Sequence, residues 1–66
     1  MRCVIIHKTE RRRKTYLKKV EVIKGTETVY YTTNIEEAQI FNTKPAANQM
    51  MKKYDILQRF AEVQKL

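Results

Sequence analysis

The stretch YLKKVEVIKGTETVYYTT, residues 16–33, places two runs of β-branched and aromatic residues on either side of the chain's single glycine. Such side chains suit a pleated, half-buried surface. Gly25 can take a positive φ without steric cost. The pattern therefore predicts a β-hairpin, with a strand over residues 15–24, a turn at Lys24-Gly25-Thr26-Glu27 and a returning strand over residues 28–33. In the outgoing arm Tyr16, Lys18, Val20 and Val22 share one parity, while Leu17 and Ile23 fall on the other. That alternation is imperfect, which predicts partial cover on both faces. In the returning arm Tyr30 and Tyr31 are consecutive and must face opposite sides.

Upstream of the hairpin, the apolar run Cys3 to Ile6 predicts a first strand over residues 2–8. Residues 9–14 contain no apolar side chain and read as a solvated connection. Downstream, Asn34-Ile35-Glu36-Glu37 has the form of a capping arrangement, Asn34 accepting from the first free amides and Glu37 reaching back. A short helical turn is expected there, then a brief edge segment over residues 38–42 that buries Ile40 and Phe41. Thr43 caps a longer helix with Pro45 in its first turn, where a missing amide hydrogen costs nothing. That helix should reach about Tyr54, burying Ala46, Ala47, Met50, Met51 and Tyr54 and turning Asn48, Gln49, Lys52 and Lys53 outward. Residues 55–66 fit two patterns. Ile56, Phe60 and Val63 have helical spacing, whereas Ala61 and Val63 alternate as in a strand; a closing strand is the preferred expectation. The fold class that results is α+β: a small antiparallel sheet of three to five short strands with one principal helix packed on one face, after a short helical turn.

A chain of 66 residues supports one domain, spanning 1–66. A core of that size is marginal, so a homodimer pairing exposed edge strands is one expectation. No apolar run is long enough to cross a bilayer, and the N-terminal residues do not read as a signal peptide. A cytoplasmic location is expected, without membrane contact. The single cysteine, Cys3, fits that location as a buried strand residue. Charge carries more information. Of the net charge of +7, all arises before Gly25, where nine cations face Glu10 and Glu21; the remaining five cations are balanced by five carboxylates. One basic end of that kind suits nucleic acid, an acidic protein or an anionic membrane surface.

Residues 16–54, YLKKVEVIKGTETVYYTTNIEEAQIFNTKPAANQMMKKY, resemble small proteins encoded by phages and prophages of Gram-positive bacteria, a domain of unknown function. The likeness is carried by the aromatic-Leu-Lys-Lys strand, the glycine hairpin, NIEEAQIF and the Thr-capped, alanine-bearing helix. It implies a small sheet with one packed helix and a location in the host cell cytoplasm. It carries over no catalytic residue; accessory phage proteins of this size bind host proteins or nucleic acid, some as inhibitors or modulators.

Catalysis needs a nucleophile or base positioned by a second group. Cys3 and His7 lie on one strand roughly 13 Å apart, too far for a dyad. Neither paired histidines nor a Cys-x-x-Cys spacing is present, so no catalytic site, metal or cofactor is expected. Glu36 and Glu37 read as helix-opening residues. The sharpest signal is Arg11-Arg12-Arg13-Lys14, extended by Lys18 and Lys19, because guanidinium forks grip phosphate and carboxylate oxygens bidentately. The same run could also simply keep a loop solvated. As a binding site it points to an acidic host protein or a protein–nucleic-acid assembly, engaged without enzymatic chemistry. Direct nucleic-acid binding through phosphate contacts is the alternative, with Tyr16, Tyr30 or Tyr31 adding base stacking if exposed beside the cations.

Overall fold

The computed structural model describes residues 2–8 and 13–66, so Arg11 and Arg12 of the basic run lie outside the described residues, as does most of the first connection. Four strands, β1 (Cys3–His7), β2 (Tyr16–Ile23), β3 (Thr26–Thr32) and β4 (Ala61–Lys65), form one antiparallel sheet in the order β3-β2-β1-β4. A 3₁₀ turn, Ile35–Glu37, and two helices, α1 (Lys44–Lys53) and α2 (Asp55–Phe60), link β3 to β4. The α+β architecture is as the sequence predicts. The tail resolves into both of its patterns in succession: six residues of helix, then a closing strand along β1.

The hairpin turn is tighter than expected. Ile23 pairs with Thr26, leaving Lys24 and Gly25 as its two central residues with φ of 52° and 79°. Two positive φ values define a type I′ turn, whose twist matches that of the flanking strands. Gly25 takes this conformation freely, but Lys24 carries a Cβ into the left-handed region at a cost of about 1 kcal/mol. Lys24→Asn is expected to recover most of it and to raise the melting temperature by roughly 4–8 °C. A thermal scan showing no rise would refute this account of the turn.

The broken alternation in the outgoing arm is a β-bulge. Leu17 lies opposite Tyr31 and Lys19 opposite Tyr30, so Lys18 is an extra residue with no partner on β3. The insertion reverses the phase of the strand. Leu17, Val20, Tyr31 and Val29 therefore share the helix-bearing face, and Tyr16, Lys19 and Tyr30 share the other. At the same point β2 leaves β1: Ile6↔Tyr16 is the registered pair between them. Phe41 exchanges both backbone hydrogen bonds with Cys3, at 2.8 and 2.9 Å, and the Gln39 amide donates to the Leu17 carbonyl at 2.9 Å. Residues 39–41 thus stand where β2 would otherwise continue along β1. Beyond the bulge the hairpin projects, leaving Val22 and Ile23 54% and 59% exposed.

The core joins Cys3, Ile5, Leu17, Phe41, Ala47, Leu57 and Ala61, with Met50, Met51, Tyr54, Ile56 and Val63 half-buried around it. Thr43 Oγ1 accepts from the Ala46 amide at 3.3 Å, the expected cap of α1, and Ala47 is the one α1 residue buried completely. Three expectations are corrected. Ile40 is exposed, because in extended chain only one of two successive side chains can face inward and the bridge to Cys3 turns Phe41 in. Ala46 is exposed at the first turn of α1. Asn34 Oδ1 does cap the 3₁₀ turn, accepting from Glu36 at 3.0 Å, but the Glu37 carboxylate accepts from the Thr32 hydroxyl. None of the described helices is long and apolar enough to cross a membrane.

Candidate anion-binding surface

On the helix-bearing face of β1, Cys3 and Ile5 are fully buried, but His7, the next residue on that face, is only half-buried. The core stops one residue short of the strand's end. The antiparallel register sets Ala61 beside His7 and brings Phe60 next to Lys8, whose amide donates to the Phe60 carbonyl at 2.9 Å. The Phe60 ring stacks on His7, with centroids 6.2 Å apart and planes 18° from parallel. His7 also packs against Tyr31 in a T-shaped pair, with centroids at 5.1 Å and planes at 74°. Thr15, just before β2, accepts from the His7 amide through its carbonyl at 3.0 Å. Phe60, His7 and Tyr31 therefore form a row of rings across this end of the sheet. Phe60 is 45% exposed. Half-burial pushes the Tyr31 phenol above its ordinary pKa, since the phenolate is the form that loses hydration.

Cations surround the row. Lys8 follows His7, Arg59 precedes Phe60, and Arg13 and Lys14 lead into Thr15; all four are exposed. Among the described residues none of them is in an ion pair, the single such pair being Lys19–Glu21 at 2.8 Å. Glu62 pairs with Ile6 on the opposite face, Glu37 holds the Thr32 hydroxyl, and the exposed Asp55 stands one helical turn before Arg59 on α2.

The basic residues predicted from sequence are thus divided. Arg13 and Lys14 stand at this end, and Lys18 is exposed at the bulge. Lys19 is on the other face, hydrogen-bonded to Glu21 and 5.1 Å above the Tyr30 ring. That hydrogen bond, reinforced by the opposite charges, raises the Lys19 pKa and lowers that of Glu21. Lys19 is exposed and Glu21 half-exposed, so solvent screens the pair. Lys8, His7, Arg59 and Phe60 join the site only through folding; the adjacent cation and ring of Arg59-Phe60 was the one local hint. The described residues enclose no pocket. The candidate site is therefore an open surface, with cations at its margins and rings between them.

Comparison with protein-family models, curated proteins and solved structures returned no match to this chain.

Proposed function

We propose that this chain is a non-enzymatic binding protein of the small phage accessory type, engaging an acidic partner through the cationic end of its sheet. The partner is an acidic host protein or a protein–nucleic-acid assembly. The observation that carries this reading is the group Lys8, Arg13, Lys14 and Arg59, exposed at one end and in no ion pair among the described residues. Four cations held together raise the local concentration of an anionic partner, and guanidinium groups grip its carboxylate or phosphate oxygens in pairs. The fold supplies the clustering, since Arg59 reaches the others only through the pairing of β4 with β1.

The test uses immobilised poly-glutamate and oligothymidylate at low salt. The wild-type chain is expected to be retained on at least one of them. Arg13→Gln combined with Lys14→Gln should weaken retention about tenfold, within the range for two solvent-exposed ion pairs of up to about 1 kcal/mol each. Retention on neither polyanion, or retention unaltered by the double substitution, would remove the basis for this function.

A further inference from the structure

An acidic protein surface asks only for cations, and cations alone would not explain the rings set among them. Phe60 is nearly half exposed at the junction of α2 and β4. It is held in place rather than swinging free: its ring stacks on His7, His7 is fixed against Tyr31, and its backbone is pinned to Lys8. An exposed aromatic braced from behind offers a flat apolar surface at low entropic cost. Nucleic-acid bases are the anionic polymer's own flat rings. In a duplex they are stacked on one another, whereas in a single strand their faces are available.

Resting on the binding function proposed above, the geometry points to single-stranded nucleic acid as the partner, one base stacking on Phe60 while Lys8, Arg13, Lys14 and Arg59 hold the flanking phosphates. His7 and Tyr31 act as the brace of the Phe60 ring. Such a surface discriminates little among bases, because every base has a π-face, and it favours single strands over duplexes. The second pair of tyrosines does not share this role: Tyr16 and Tyr30 lie on the opposite face, where Lys19 already sits over Tyr30.

The experiment measures affinity by fluorescence anisotropy for labelled oligothymidylate, for its duplex with oligoadenylate and for an abasic strand of equal length, with poly-glutamate as competitor. Loss of one base–ring stack should weaken oligothymidylate binding about tenfold in Phe60→Ala and Phe60→Leu. Phe60→Trp should restore it. The abasic strand should bind more weakly than oligothymidylate and respond to none of these substitutions. Because Phe60 lies outside the buried core, circular dichroism of each variant should match the wild type. Phe60→Leu keeps an apolar side chain and separates ring stacking from any loss of packing. Equal affinity of all Phe60 variants for oligothymidylate would overturn the inference, as would equal affinity of the wild type for the abasic strand. If poly-glutamate also displaced the oligonucleotide at matched charge, the partner would be an acidic polypeptide. The inference would then fall while the broader binding function stood; absence of binding to every polyanion would remove both.

Discussion

Leu57→Ala is expected to leave the chain largely unfolded at room temperature. Leu57 is fully buried among Cys3, Ile5, Leu17, Phe41, Ala47 and Ala61, and its side chain fastens α2 to the sheet. The helix has only six residues and no side-chain cap, so it cannot persist without that anchor. Truncating a buried leucine to alanine costs about 2–5 kcal/mol in lost transfer energy and unfilled volume. A single core of this size supplies roughly 3–5 kcal/mol in total. The two figures nearly cancel. Urea titration followed by circular dichroism should show no folded baseline for Leu57→Ala, while Leu57→Met, which conserves volume, should retain a cooperative transition shifted by less than about 1.5 kcal/mol. A Leu57→Ala transition as steep and as late as the wild type's would place the core elsewhere. Because α2 ends at Phe60, the same substitution should also release the exposed ring from its place at the sheet end.

The elements that were legible in the sequence are those whose signals are local. Gly25 announces the hairpin because the turn needs positive φ there, Thr43 announces α1 because its own hydroxyl is the cap, and Pro45 because the first turn does not need its missing amide hydrogen. The bulge at Lys18 was not legible. An extra residue in a strand has no preferred side chain, and a lysine is equally at ease in or out of register on a solvated surface. Its only trace was the misfit between Leu17 and Val20, which share a face three residues apart. The tail was legible in its closing strand, which forms as β4, but the separate helix before it was not, because six residues are too few for a helical period to stand apart from the strand that follows at Ala61. Half of the candidate site follows the same rule. Arg13 and Lys14 are visible as a charge run, but Lys8 and Arg59 are isolated cations, and their meeting is a property of the β1–β4 register that no local pattern encodes.

Salt dependence should tell whether these cations act as a placed group or merely as part of the net charge. If Lys8, Arg13, Lys14 and Arg59 each neutralise one phosphate of a single strand, they contribute about −2.8 to the slope of log affinity against log salt, at roughly −0.7 per contact. That contribution alone corresponds to about a fiftyfold loss of affinity between roughly 50 and 200 mM salt. Replacing all four with Gln, with Arg11 and Arg12 retained, is expected to flatten the slope for oligothymidylate by about that amount. The variant should stay folded, since the four side chains are exposed and make no ion pair among the described residues. Lys19→Gln supplies the contrast. It removes one unit of charge from the opposite face, where Glu21 already opposes it, and so should leave the slope unchanged. A Lys19→Gln slope lowered as much as that of any single replacement among the four would mean that net charge governs binding. Four separable decrements with a silent Lys19 would instead mean that the strand lies along one end of the sheet, over the ring of Phe60, because only contacts held near phosphates release counterions.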